Sequence, residues 1–404
     1  MLALDGPLPS IGRVSEPLSN SSRPPPPDRV ALIALALSNL RNYASATTGF
    51  NAGLVVLTGE NGAGKTNLLE AISLLTPGRG LRRASFEEIT MAGVASGWAV
   101  AATLSRNGEE TRIGTGLSEA VPGEAKARLV RINGAPAPGA DALLDYLRIL
   151  WLTPSMDGLF TGPASERRRF LDRLVLTIDA SHGRRARDFE RLLTQRNRLL
   201  EENAASAWLD AVEAELAGRA VAVALARAET AALLSATMLR RSTGASAFPA
   251  GRIGLLGAFD REIAGGSAAE AELRYRRALA EGRAADRAAG RTLHGPHRSD
   301  LDVVFAEKEM PASLSSAGEQ KALLIGLILA HAELVAGMSG MTPILLLDEV
   351  AAHLDRNRRS ALFERLAALG GQAFMTGTDA ALFADLPAGT VHYRVAGGML
   401  DRLE

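Results

Sequence analysis

LVVLTGENGAGKTNLLEAISLL, residues 54–75, is the stretch on which the fold turns. Four apolar residues and a threonine come first, then a glycine-rich loop, then NLLEAISLL with helical spacing. Strand, glycine loop, helix is the order met at the edge of an α/β sheet. Within it GENGAGKT, Gly59 to Thr66, satisfies the pattern G-x-x-x-x-G-K-[ST]. The chemistry explains the residue types. A triphosphate is densely anionic, and Gly59, Gly62 and Gly64 let the backbone N–H groups through Glu60, Asn61 and Ala63 turn inward to cradle it. The start of the following helix, through Asn67, adds favourable partial charge. Lys65 reaches the β- and γ-phosphates, and the Thr66 hydroxyl ligates Mg²⁺. A chance glycine-rich turn would not also be framed by the right strand and helix.

A second segment, PILLLDEVAAHLD from Pro343 to Asp355, places two carboxylates after four apolar residues. A buried strand ending this way sets them at the carboxyl edge of a parallel sheet, where ligands bind. Asp348 then holds Mg²⁺ and Glu349 polarises the attacking water as general base. In isolation the same residues fit an ordinary strand with a solvated acidic turn. The phosphate loop tips the balance toward catalysis.

The third segment is LSSAGEQKALLIGLILAHAEL, residues 314–334. Small residues Ser316, Ala317 and Gly318 precede a long apolar helix, and a bare helix start with a serine hydroxyl is an anion site. It also fits a plain serine cap with Glu319 in the first turn. One chain already carries its phosphate loop, so a second γ-phosphate site suggests service to another subunit.

Taken in order, GENGAGKT, SAGEQ, LLLDE and AAHLD resemble the motif set of ABC-type ATPases. ABC transporter subunits place the signature closer to the phosphate loop, and SMC proteins place it much farther away. The interval from Thr66 to Ser316 is similar to that of the RecF family. LSNLRNYAS at 37–45, TPSMDGLFTGPASERRRFLDR at 153–173, TQRNRLL at 194–200 and HGPHRSDL at 294–301 resemble RecF specifically. The likeness covers most of the chain after residue 30. It implies an α/β ABC-type P-loop head built from both ends of the chain, with an inserted α-helical arm. It further implies a DNA repair and recombination ATPase that dimerises on ATP, binds gapped or double-stranded DNA and helps recombination-mediator proteins load a recombinase at single-strand gaps. Carried over by position, Gly59 to Asn67 bind nucleotide in cis, while Ser316 and Gly318 face the γ-phosphate in trans. Asp355 matches the aspartate of the interface-crossing loop, and Arg41 the arginine that SMC-like heads place near the phosphates. Two departures stand out. Thr376 or Thr378 replaces the switch histidine of transporter subunits, which suits slow hydrolysis. The expected glutamine is missing from TPSMDGLF, leaving Ser155 or Asp157 to serve.

Composition bounds the rest. Lys plus Arg and Asp plus Glu both number 45 in 404 residues, so any DNA binding must be a local patch. There is no cysteine, which excludes disulfides, zinc fingers and thiol catalysis. No apolar run free of charges reaches about 18 residues, and no signal peptide opens the chain, so a cytoplasmic enzyme without a membrane partner is expected. Residues 1–28, closing on four prolines, favour an extended tail. The expected divisions are a head part over 29–156, a helical arm over 157–291, and a second head part over 292–404. Between Arg167 and Arg198 stand ten arginines against Asp172, Asp179, Asp188 and Glu190. They read either as a DNA-backbone patch or as a solvated helix face. His294, His297 and Arg298 are further candidates for DNA or nucleotide contact. Aromatics are only 4% of the chain, which favours backbone contact over base stacking. The rival readings are an ABC transporter ATP-binding subunit, disfavoured by the basic arm, and a short SMC-like DNA-bridging ATPase, disfavoured by glycines 183, 218, 244, 251 and 254. A DNA-binding ATP switch with negligible turnover is the non-enzymatic alternative.

Overall fold

The structure is a computed structural model that describes residues 26–117, 127–241 and 247–403. Of the tail expected over residues 1–28, residues 1–25 lie outside the described residues. Asp28, counted in that tail from sequence, is anchored instead. Its N–H bonds Gly340 O at 2.8 Å, and its carboxylate accepts from Arg106 and Asn107.

Along the chain come β1 (Val30–Leu40), β2 (Tyr43–Gly49), β3 (Leu54–Thr58), α1 (Lys65–Ser73), α2 (Phe86–Ile89), β4 (Ala99–Arg106), β5 (Glu109–Leu117), β6 (Arg128–Ile132), β7 (Ala135–Pro136) and β8 (Ile149–Leu152). Next are α3 (Ala164–Ile178), α4 (His182–Glu201), α5 (Ser206–Arg241), β9 (Gly251–Leu256), α6 (Ala258–Ile263), α7 (Ala268–Glu281) and α8 (Arg283–Ala289). The last stretch holds β10 (Asp300–Phe305), β11 (Met310–Pro311), α9 (Ala317–Ser339), β12 (Ile344–Leu347), α10 (Arg356–Leu369), β13 (Ala373–Gly377), β14 (Val391–Ala396) and β15 (Met399–Leu403).

The central sheet runs β15-β14-β3-β13-β12-β8, all parallel except β15, so strands from both ends of the chain share it. Alternation explains why these strands are apolar throughout. Leu54 and Val56, Leu150 and Leu152, and Leu345 and Leu347 point into one core with α3, α5, α9 and α10. Val55 and Leu57, Ile149 and Trp151, and Ile344 and Leu346 point into another, against α1 and the antiparallel sheet β2-β1-β4-β5-β6-β7. A sheet buried on both faces needs apolar residues at every position. One edge of that sheet therefore collects the ends of β3, β8, β12 and β13.

The stretch expected to be a helical insertion contains a strand. β9, carrying Gly251 and Gly254, pairs antiparallel with β10 in a third sheet, Gly251 opposite Phe305. Its partner lies far along the sequence, so local pattern reads only the glycine interruptions. Gly251 is also tight, since a Cβ there would come within 3.2 Å of Leu323.

Two helices, Ser206–Arg241 and Ala317–Ser339, are long and apolar enough to cross a membrane by length and composition. The count of charge-free runs overlooked them because a few charges interrupt each. In α9, 72% of the apolar window is buried inside the protein, and its leucines join the core. A helix buried around most of its circumference has no amphipathic stripe to show.

Candidate functional site

The phosphate loop is fixed by contacts that its sequence demands. A Cβ on Gly59 would lie 2.3 Å from Val395 O, so no side chain fits there. Gly64 has φ +116 and would meet the Asn42 amide and the Tyr43 hydroxyl within 3 Å. Those same groups brace the loop, Tyr43 Oη donating to Gly64 O at 3.0 Å and Asn42 Nδ2 to Ala63 O at 3.2 Å. Asn67 donates to Asn42 Oδ1 at 2.7 Å, tying α1 to the same brace. Lys65 folds over the loop, Nζ donating to Gly59 O at 2.6 Å and Glu60 O at 2.8 Å. Burial lowers its ammonium from the usual range, while Glu349 and Asp348 act in the opposite sense.

Beside the loop, Asp348 gathers two hydroxyls. Thr66 Oγ1 donates at 3.0 Å and Thr376 Oγ1 at 2.7 Å, from α1 and β13. Asp348 also continues the sheet, its N–H bonding Leu152 O at 2.9 Å. Thr376 has a second task, its oxygen accepting from the Glu349 N–H at 2.9 Å. Glu349 sits at φ +51, a left-handed conformation uncommon for a long side chain, and strain of this kind clusters where geometry serves function. The two threonines that could replace the switch histidine thus separate. Thr376 is buried under the acidic pair, whereas Thr378 is exposed and lines an open cleft of about 600 Å³. That cleft is floored by Thr58–Ala63 and walled by Arg394–Gly397. Arg394 and the turn after it carry no motif, and no local signal marked them.

Arg41 is spent elsewhere. Its guanidinium forms a bidentate pair with buried Glu70 at 2.8 Å and donates to Glu88 O. It thereby holds the phosphate-loop helix from the side. Of the two candidates for the missing glutamine, Ser155 bonds Thr153 at 2.9 Å. Asp157 reaches across to α9, Oδ2 accepting from Lys321 Nζ at 3.0 Å, and its Oδ1 is buried without a partner among the described residues. The loop leaving β8 is thus bolted to the helix that carries the signature.

The signature itself is not among the lining residues of the cleft. Ser316 caps α9 with a capping box, Oγ accepting from the Glu319 N–H while Glu319 accepts from the Ser316 N–H at 3.0 Å. Lys308 pairs with the same Glu319, and it and Ser316 hold that carboxyl at a pKa of about 2. Ser316, Ala317 and Gly318 are exposed, and neighbouring Leu314 is 70% exposed. A Cβ on Gly318 would meet nothing within 4 Å among the described residues. Asp355 caps α10, accepting from the Arg358 N–H at 2.9 Å, and the Arg358 side chain reaches Gly318 O at 3.4 Å. The signature and the Asp355 loop are therefore neighbours on one face.

The ten arginines of the arm do not make a common face. Arg196 is 0% exposed and bonds Glu213, Asp286, Thr292 Oγ1 and Leu279 O, joining α4, α5 and α8. Arg167 clamps Asp300 and Arg168 donates to Ser299 O, fastening α3 to β10. Arg173 stacks over Trp151 at 4.3 Å. Arg185, Arg187, Arg191 and Arg198 pair with Asp179, Asp141, Asp188 and Glu202. The reading of all ten as one DNA patch is corrected accordingly: Arg196, Arg167, Arg168 and Arg173 hold the arm together and to the head, while Arg169 and Arg184 stay exposed. In HGPHRSD, His297 bonds Thr292 O and His294 pairs with Glu262, so both histidines are engaged within the chain.

Comparison with known proteins fits these observations. Residues 31–395 match the RecF/RecN/SMC N terminal domain family. The DNA replication and repair protein RecF of Mesorhizobium japonicum is 55% identical over 362 residues, covering 89% of this chain and 94% of that protein. The protein of that name from Brucella suis is 54% identical over 376 residues, covering 93% and 97%. A solved structure described as the recombination mediator protein RecF-ATPrS in the RecFOR pathway superposes with a TM-score of 0.81. It covers 94% of this chain and 100% of its own at 24% identity, a likeness of fold. With a family match along nearly its whole length and relatives more than half identical, this chain belongs to the RecF family of DNA replication and repair proteins, with an ABC-type α/β ATPase head built from both ends of the chain and an inserted helical arm.

Proposed function

We propose that this protein is a cytoplasmic ATPase that dimerises on ATP, two heads enclosing two nucleotides, and in that state holds gapped or double-stranded DNA for mediator proteins that load a recombinase. Residues 29–156 and 292–404 are read as the two parts of the head, and 157–291 as the arm. The observation that carries this reading is the division of the site. Lys65, Thr66, Asp348 and Glu349 meet within one chain, while Ser316 and Gly318 lie exposed, with a glycine that this chain's own packing does not require. Glycine in a helix costs up to about 1 kcal/mol relative to alanine, so an unforced Gly318 speaks for close approach from outside.

The residues present fit ATP with Mg²⁺. Three positive-φ glycines bend the loop, and the hard oxygens of Thr66 and Asp348 already face one another at 3.0 Å. The nucleotide supplies the phosphoanhydride and the metal neutralises its charge. Lys65, released from the Gly59 and Glu60 carbonyls, holds the terminal phosphates. Glu349, fixed through its N–H by Thr376, takes the proton of the attacking water. The partner's Ser316, Gly318 and Asp355 loop close the site and exclude solvent. With Thr378 where a cationic histidine would stand, hydrolysis is slow and times release. Asp157, through Lys321, carries the state of the nucleotide edge to the signature helix.

Ser316→Arg tests this directly. The variant should bind ATP like the wild type yet remain monomeric with ATP, as measured by light scattering. A variant that still dimerises would rule out the shared site.

A further inference from the structure

A second basic feature lies in TPGRGLRR, Thr76–Arg83, which contains three arginines and no acid. This loop is pinned rather than loose. Leu81 N donates to Ser73 Oγ at 2.9 Å, and Arg82 bonds Asn67 Oδ1 at 2.5 Å and pairs with Glu70 on α1. Gly80, at φ +69, packs so closely that a Cβ would sit 2.8 Å from Ser73 Oγ. Arg83 itself adopts φ +60, a conformation long side chains rarely take. The outcome is that Arg79 and Arg83 are exposed, and among the described residues neither has a hydrogen bond or ion pair. Arg169 of α3 is exposed beside them, with only a 3.9 Å contact to Glu166. Burial lowers the Arg83 guanidinium first, Arg169 and Arg79 act on it as like charges and Glu166 and Glu190 as opposite ones, and Arg83 in turn acts on Arg173. Three cations beside two acids leave a local excess of positive charge for an anion to neutralise.

We propose that Arg79, Arg83 and Arg169, at the junction of the Thr76–Arg83 loop and α3, form the seat for the phosphate backbone of duplex DNA. This rests on the DNA-binding reading above and gives that reading a place. Guanidinium groups match phosphate oxygens in geometry and charge. All three are exposed rather than recessed, which suits a long polyanion over a small anion needing a pocket. The nearby rings, Phe170 and Trp151, are buried, with Arg173 lying over Trp151, so neither offers base stacking at this place and a duplex is favoured over a single strand. The loop hangs on α1 through Asn67, Glu70 and Ser73, so the seat is attached to the phosphate-loop helix.

The test uses the full chain carrying Arg79→Ala, Arg83→Ala and Arg169→Ala together. A labelled duplex is titrated by fluorescence anisotropy at several NaCl concentrations with a non-hydrolysable ATP analogue present. The dependence of log affinity on log salt should become shallower by about 2 to 3, at roughly 0.9 per lost phosphate contact. ATP binding and melting temperature should stay at wild-type values, and Arg191→Ala with Arg198→Ala should leave the slope unchanged. An unchanged slope in the triple variant, equal loss of ATP binding, or a loss confined to single-stranded DNA would each overturn the seat. If the wild type binds no duplex in any nucleotide state, the DNA-binding reading itself fails, and the two failures are thereby told apart.

Discussion

The phosphate loop and the signature segment are both glycine-bearing helix starts, yet this chain treats them in opposite ways. Around Gly59 and Gly64 the protein leaves no room, since Val395 O, Asn42 and Tyr43 occupy the space a side chain would need. A Cβ on Gly318 would meet nothing within 4 Å among the described residues. Lys65 and Thr66 satisfy their polar atoms on the loop and on Asp348, whereas Ser316 stays exposed and bonds Glu319, which itself pairs with Lys308. The phosphate loop is finished by folding. The other is only presented by it, at the end of a helix sunk in the core. The difference teaches where to look for a missing subunit: at a site whose small residues the chain itself does not explain.

That contrast can be broken by substitution. Lys65→Ala has the largest expected effect. ATP affinity should drop about 100-fold or more, since charge-assisted bonds contribute roughly 1.5 to 3 kcal/mol each, while the fold persists by circular dichroism. Gly59→Ala should act on both stability and binding, because the Val395 carbonyl must move. A loss of about 1 to 3 kcal/mol in urea unfolding is expected, as for other overpacked sites.

A third test concerns the shaft of α9, which carries the signature. His331 is buried, Nε2 bonded to Thr177 Oγ1 at 2.8 Å, and burial pushes its pKa down to about 3. The unfolded chain therefore binds this proton more readily than the folded one. Its contribution to stability is complete above about pH 6.5 and is lost as pH falls toward 3, by up to ~1.4 kcal/mol per pH unit. Chemical denaturation of His331→Leu against wild type should show a shallower acid dependence; parallel curves would remove this residue from the account of α9. The smallest effect belongs to Gly318→Ala. The monomer should melt slightly higher, by no more than about 1 kcal/mol, while ATP-driven dimerisation weakens. A destabilised monomer would mean that Gly318 serves its own chain after all, and the contrast would collapse.

How much of this was legible in the sequence depends on whether the signal was local. The phosphate loop, the strand ending in Asp348 and Glu349, and the capped start of α9 are each contiguous, and pattern alone located them. The strand at Gly251–Leu256 was not legible, because it exists through its pairing with Asp300–Phe305. The arm arginines misled for a related reason. Composition counts Arg196 and Arg191 alike, but one is buried among Glu213 and Asp286 while the other stands in solvent beside Asp188. Conversely, TPGRGLRR carries no local signal, since three arginines in a loop are unremarkable until Arg82 is seen pinned to Asn67 and Glu70 while Arg79 and Arg83 have no hydrogen bond or ion pair among the described residues. Arg41 was placed near the nucleotide site by resemblance, and the geometry gives it a bracing task through Glu70 that no spacing rule encodes.

The most direct test of the shared site is the solution mass of Glu349→Gln with and without Mg·ATP. Removing the proposed general base should trap the nucleotide-bound state, so a monomer without nucleotide should become a stable dimer with it, and that dimer should grip duplex DNA more tightly. A protein that binds Mg·ATP yet stays monomeric at every concentration would contradict the shared site.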